Sequence, residues 1–181
     1  MKLGQETLLN DHEYFMGIAM AVRIRANCVG NRVGAIVVME GRIISTGYNG
    51  TPQNMVNCLD GGCDRCVKRE KYPSGTGYDL CICVHAEQNA LLSAARFGFA
   101  VQGGTLYATM RPCFGCIKEM LQTMMERVYY LHDWSYPDPE VHKEYEKIQS
   151  RFGGGIHKLK MADPEATWAI SHLRKNSVDK R

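Results

Sequence analysis

Apolar residues recur at helical spacing behind Asn10. Phe15, Ile18, Ala19 and Val22 share one side of a helix whose start is marked by Asn10 with Glu13 three positions on. The spacing predicts a helix from there to about Asn27. From Val33 to Met39 the apolar residues are nearly continuous, the pattern of a strand buried on both faces. Glu40-Gly41 is a tight turn, and Arg42 to Gly47 returns as a second strand. Periodicity then stops. Tyr48 to Tyr78 is rich in Gly, Pro, Asn and Cys, and a stretch of that length cannot lie unsupported in a compact domain, so something must pin it. Order resumes at His85–Phe97, a helix with Ala86, Ala90, Leu91 and Ala94 on one side, followed by a strand from Thr105 to Thr109. Cys113–Met125 reads as a helix with Ile117, Met120, Leu121 and Met124 inward, and Arg127–Leu131 as a strand. A helix from Pro137 to Gln149 and a strand from Ile156 to Met161 follow. Asp163-Pro164-Glu165 opens a last helix carrying Trp168 and Leu173, with Asp163 as cap and Pro164 in the first turn. About five strands alternating with about five helices predict an α/β fold, a sheet covered on both faces.

Composition narrows the setting. At 181 residues and 20.4 kDa, residues 1–181 are long enough for one domain with a full core. No apolar run approaches membrane-spanning length, and the opening residues lack an apolar secretory core, which predicts a cytoplasmic protein with no membrane partner. In a reducing cytoplasm eight cysteines point to metal ligands, not disulfides. The net charge of +3 is too small to predict a nucleic-acid partner. The basic run from Arg174 to Arg181 reads as a solvated, frayed end. The sequence contains no internal repeat.

The chemistry concentrates in His85-Ala86-Glu87 and Pro112-Cys113-Phe114-Gly115-Cys116, with 25 residues between Glu87 and Cys113. His85, Cys113 and Cys116 supply one imidazole and two thiolates, three ligands for zinc. Glu87, two residues from the imidazole, is placed beside the metal and not on it. A catalytic zinc keeps one position open for water, whereas a structural zinc is closed by four protein ligands. Both half-motifs open helices, whose N-terminal N–H groups and dipole favour the thiolate form of the cysteines. The competing reading makes His85 a helix cap and the cysteines a buried or redox pair, but a redox C-x-x-C has no need of an upstream H-x-E.

This H-x-E…P-C-x-x-C pattern resembles the zinc-dependent nucleobase deaminases. The resemblance implies hydrolytic deamination, with Glu87 moving protons from water to the ring nitrogen and the leaving ammonia. It also implies a three-layer α/β/α sandwich around a five-stranded mixed sheet, a cytidine deaminase-like fold. Gly47-Tyr48-Asn49-Gly50-Thr51-Pro52 resembles the loop of the deoxycytidylate (dCMP) deaminases, and the likeness runs from about Arg25 to Leu131. It implies dCMP as substrate, dUMP as a product feeding thymidylate synthesis, and Asn49 as a contact to the substrate sugar; taken alone, Asn49-Gly50 is a turn dipeptide. Arg96 and Arg111 are the candidate cations for the phosphate, and Phe114 either walls the base pocket or packs on the core. Family likeness further implies a homo-oligomer, a hexamer, with dCTP and dTTP as effectors carried with Mg²⁺.

Six cysteines remain, within or beside a Cys-rich insertion at about 54–83. Four thiolates around a second, structural zinc would explain how the long loop is held. Cys58, Cys63 and Cys66 are the favoured ligands, with Cys28, Cys81 or Cys83 completing the set; the alternative is that several are small buried hydrophobes. The competing functions are deamination of a modified dCMP, deamination of tRNA adenosine, and a zinc-stabilised competence-associated or interaction protein without catalysis. An intact Glu87 speaks against the last, because a structural zinc has no use for that carboxylate.

Overall fold

A computed structural model describes residues 10–72 and 76–178. The end of the basic run from Arg174 to Arg181, read above as frayed, lies outside the described residues. The first helix, α1 (Asp11–Val22), begins at the cap expected from sequence. Asn10 Oδ1 accepts the Glu13 N–H at 3.0 Å, and Glu13 accepts the Asn10 N–H at 3.2 Å. It ends earlier than Asn27, passing into a single 3-10 turn at Arg23–Arg25. Strands β1 (Gly34–Met39) and β2 (Arg42–Tyr48) form a hairpin whose turn holds both Glu40 and Gly41 at positive φ, 49° and 72°. After the Cys-rich segment, which contains the four-residue helix α2 (Asp64–Val67), come α3 (Ala86–Arg96), β3 (Thr105–Met110), α4 (Phe114–Gln122), β4 (Arg127–His132), α5 (Pro139–Gln149) and β5 (Ile156–Lys158).

The strands form one mixed sheet in the order β2-β1-β3-β4-β5. β1 runs antiparallel to β2 and β3, while β3, β4 and β5 are parallel. One face carries Ile36, Val38, Tyr107 and Leu131 against Phe15, Met16 and Ala19 of α1. The other carries Val33, Ala35, Val37, Leu106, Ala108 and Val128 against α3, α4 and α5. This is the α/β/α sandwich with a five-stranded mixed sheet, and β1 is buried on both faces as its continuous apolar run predicts.

The C-terminal region departs from expectation. β5 stops at Lys158, three residues short of Met161. The single last helix is two, α6 (Ala166–Ala169) and α7 (Ser171–Val178), because Ile170 is extended (φ −94°, ψ 120°) and sends its side chain into the core. Asp163 does not cap α6; Glu165 occupies that position. The Asp163 carboxylate instead pairs with Arg23, is 2.6 Å from His132 Nε2 and accepts the Glu165 N–H at 3.0 Å. The same carboxylate thus keeps a local turn bond while it serves an ion pair reaching across the fold.

Candidate functional site

Two helix starts meet beyond the C-terminal end of β3, the central strand of the sheet. His85 is the residue before α3, with extended backbone (φ −73°, ψ 158°), and Cys113 stands in the same position before α4 (φ −77°, ψ 172°). The segment before His85 is fixed by reciprocal backbone bonds between Gly50 and Val84, 3.2 and 2.8 Å. Gln88 then accepts the His85 N–H at 3.0 Å and donates to Glu119 of α4 at 2.8 Å, tying the two helices together. Gly47 lets α3 lie against β2. A Cβ there would stand 2.1 Å from the Ala86 carbonyl oxygen and 2.3 Å from the Ala90 nitrogen, so no larger residue fits.

The second half-motif is held by aromatic residues. The Tyr145 hydroxyl, fully buried, donates to the Pro112 carbonyl. Tyr136 Oη accepts the Phe114 N–H at 2.8 Å, and Trp134 Nε1 donates to the Arg111 carbonyl at 2.6 Å.

These supports bring His85 Nδ1 to 3.3 Å from Cys113 Sγ and 3.5 Å from Cys116 Sγ, with 3.5 Å between the sulfurs. A tetrahedral zinc with Zn–S of about 2.3 Å and Zn–N of about 2.0 Å has edges of about 3.5–3.8 Å, so the three donors fit it to within a few tenths of an ångström. Glu87 Oε2 lies 3.7 Å from Cys116 Sγ but outside the group of three donors that are mutually within 4.8 Å. The carboxylate is buried, 4% exposed, at the floor of a cleft of about 460 Å³. Burial pushes its pKa up to about 7 against the opposing pull of His85. The Cys116 hydrogen bond, joined by His85, outweighs burial at Cys113 and brings that thiol down to about 4, while the same bond and burial push the Cys116 thiol up, so without a metal the pair shares one proton.

The cleft runs from this centre toward the cysteine cluster. Asn49, Tyr78, Trp134, Met110, Arg65 and Arg69 line it, among others. Asn49 is already bonded on both ends of its amide: it accepts the Val33 N–H at 2.8 Å and donates to the Asn31 carbonyl at 2.8 Å. It therefore shapes the cleft wall, and one amide hydrogen and one lone pair remain for a ligand. Arg111 lines the cleft while bonded to Asp133 at 3.2 Å and Gln149 at 2.7 Å. Two other expected residues sit elsewhere. Arg96 reaches Gln53 at 3.4 Å and is not part of the lining. Phe114 turns to Tyr136 and Tyr145, the core side of the two alternatives open from sequence.

Sequence reasoning missed Arg65, Arg69, Tyr78 and Trp134. They stand in short or irregular segments where no periodicity marks an inward face, and only the packing of those segments over the strand ends brings them to the cleft. It also missed Asn27, whose side-chain oxygen lies 3.3 Å from the N–H groups of Thr51 and Cys58 and whose amide donates to Asn57 at 3.0 Å, pinning both ends of the loop after β2.

The family described as the cytidine and deoxycytidylate deaminase zinc-binding region matches residues 9–132. Deoxycytidylate deaminase of Saccharomyces cerevisiae is 44% identical over 117 residues, 65% of this chain and 36% of that one. The Schizosaccharomyces pombe deoxycytidylate deaminase is 39% identical over 136 residues, 71% of this chain and 41% of its own. The chain thus spans roughly two fifths of the length of these curated relatives. Among solved structures, the dCMP deaminase of cyanophage S-TIM5 in complex with dCMP and dUMP superposes with a TM-score of 0.61 at 29% identity, over 81% of this chain and 95% of that one.

Proposed function

The chain belongs to the cytidine and deoxycytidylate deaminase family, and on that footing we propose that it converts dCMP to dUMP by hydrolytic deamination within a single domain. The observation that carries the reading is Glu87, buried at the cleft floor beside a three-donor centre that stops short of four ligands. The names of the relatives, and the dCMP and dUMP bound to the cyanophage enzyme, support this substrate.

His85, Cys113 and Cys116 hold the metal in this reading. Zinc, when bound there, supplies the Lewis acidity that makes water nucleophilic near neutral pH. Glu87 would take one proton from the attacking water and pass it to the ring nitrogen, then take the second from the new hydroxyl and pass it to the amine, which leaves as ammonia. A single carboxylate suffices because it faces the attacked carbon and is screened from bulk solvent. Tyr78, whose ring is edge-on to His85 at 6.1 Å, and Trp134 flank the base. Asn49 offers its remaining amide hydrogen to the sugar. Arg65 and Arg69, both on the insertion, take the phosphate role that sequence gave to Arg96, and Arg111 contributes as far as Asp133 allows. No helix of the described residues is long and apolar enough to cross a membrane. A cytoplasmic location belongs to the same reading, as does a hexamer responding to dCTP and dTTP with Mg²⁺, which rests on family membership alone. At least one structural zinc among the remaining cysteines belongs to it too.

Purified protein assayed by ultraviolet absorbance on dCMP, CMP and deoxycytidine tests the proposal. Turnover of dCMP is expected, with Glu87→Gln keeping its zinc and fold while losing at least about 10³-fold in kcat, the scale of a general acid–base group. Near-normal turnover by that variant would remove Glu87 from the mechanism, and failure to turn over dCMP would remove the substrate.

A further inference from the structure

The six cysteines outside the His85 centre form a small core of their own. Cys28, Cys58, Cys63, Cys66 and Cys83 are buried together, with Val29 and Cys81 as partly buried apolar neighbours. They fall into two groups of four whose sulfurs lie mutually within 4.8 Å: Cys28, Cys58, Cys66 and Cys83, and Cys63, Cys66, Cys81 and Cys83. The groups share Cys66 and Cys83. Cys58 and Cys63, favoured together with Cys66 from sequence, fall in different groups, because their sulfurs stand on opposite sides of the shared Cys66–Cys83 pair.

We propose that the six thiolates hold two tetrahedral divalent ions of the zinc class, with Cys66 and Cys83 bridging both, Cys28 and Cys58 terminal on one, and Cys63 and Cys81 terminal on the other. The sulfur separations carry this. Cys28–Cys66 is 4.0 Å, Cys66–Cys83 4.0 Å, Cys66–Cys81 3.8 Å and Cys63–Cys81 3.9 Å. A zinc with four Zn–S bonds of about 2.3 Å has edges of about 3.8 Å. A disulfide would require about 2.05 Å, roughly half the observed values. One ion in either group would leave two thiols, Cys63 with Cys81 or Cys28 with Cys58, at ligand spacing with nothing to ligate. Two ions sharing the Cys66–Cys83 edge use all six.

The surroundings suit a cluster that stays negative overall, as six thiolates around two divalent ions must. The Val29 N–H donates to Cys58 Sγ at 3.4 Å, and Arg69 and Arg174 both bond the Val29 carbonyl, beside Cys28. The cluster also joins parts of the chain that serve the cleft. Cys28 precedes β1, Cys63 and Cys66 flank Arg65, and Cys83 lies two residues before His85.

Elemental analysis together with native mass spectrometry of the zinc-loaded full chain tests the proposal. About three zinc ions per chain are expected, one at His85, Cys113 and Cys116 and two in the cluster; two or fewer overturns it. Cys113→Ser separates the centres and should leave two, whatever the enzyme's activity proves to be. Cys81→Ser, which spares the Cys28 group, should remove one ion and keep the fold; retention of all three overturns the assignment. Protein loaded with ¹¹³Cd should give two thiolate-range resonances split by each other through the shared sulfurs, and unsplit resonances would count decisively against bridging.

Discussion

Asp163 joins the two ends of the fold through its carboxylate oxygens. Arg23, 1% exposed, pairs with both oxygens, one at 2.7 Å, and His132 of β4 approaches to 2.6 Å. Burial alone would raise the Asp163 pKa, but the bonds from Arg23 and His132 outweigh it and hold the carboxyl at about 2. The folded value lies below the ordinary carboxylate value of about 4, so the unfolded chain binds the proton more readily. The stability from this group is therefore complete above about pH 4 and lost as pH falls toward 2. Asp163→Asn should cost about 3–5 kcal/mol at pH 7, because it leaves the buried Arg23 charge uncompensated. Urea unfolding of both proteins across pH checks this, and the gap between them should narrow as pH falls below about 4. The same logic of charge on charge governs Arg65 and Arg69. Replacing either with Ala should raise KM for dCMP roughly 10–100-fold while leaving deoxycytidine turnover nearly unchanged, the value of a charge-assisted bond to phosphate. Equal losses on both substrates would assign these arginines to the fold and not to the phosphate.

At the level of elements, the position of the metal centre depends on how closely α3 approaches β2. The contact is backbone to backbone at Gly47, where any Cβ would fall well inside van der Waals distance of Ala86 and Ala90. Gly34 plays the same part for α1, since a Cβ there would stand 2.2 Å from the Ala19 carbonyl oxygen. Gly47→Ala should push the start of α3 outward, and with it His85 and Glu87. A loss of about 1–3 kcal/mol in stability is expected from overpacking, with a larger proportional loss of kcat, since both His85 and Glu87 ride on the displaced turn. Thermal unfolding and steady-state kinetics on one preparation would show whether catalysis suffers more than stability. Within the Gly-Tyr-Asn-Gly segment, then, Gly47 is a packing requirement, and Asn49 is first a brace for the Asn31–Val33 segment.

On the scale of the whole molecule, the sheet and its helices own two apolar cores, while the insertion owns a core made almost wholly of sulfur. Among its described residues the secondary structure amounts to α2 and single 3-10 turns, too little to hold them by backbone bonds alone. If the proposed ions hold it, stripping metal with a chelator should release the insertion before the sheet. Limited proteolysis is expected to cut between residues 54 and 83 in chelated protein and to spare that segment in zinc-loaded protein; cleavage elsewhere first would show that the metals support the sheet instead.

The legible parts of this chain were those where site geometry or burial is written in local spacing. The Asn10–Glu13 cap, the doubly buried β1, the Glu40-Gly41 turn and the two short motifs that carry His85, Glu87, Cys113 and Cys116 each depend on neighbours a few residues away, and short-range geometry makes such patterns readable. The end of α1 at Val22, the split between α6 and α7, the role of Asp163, the placing of Arg65 and Arg69 in the cleft instead of Arg96, and the gathering of six cysteines into two overlapping groups were decided by contacts between distant segments. Linear order holds no record of which side chains an irregular loop will bring together, because that depends on where the strand ends, α3 and the insertion come to rest against one another.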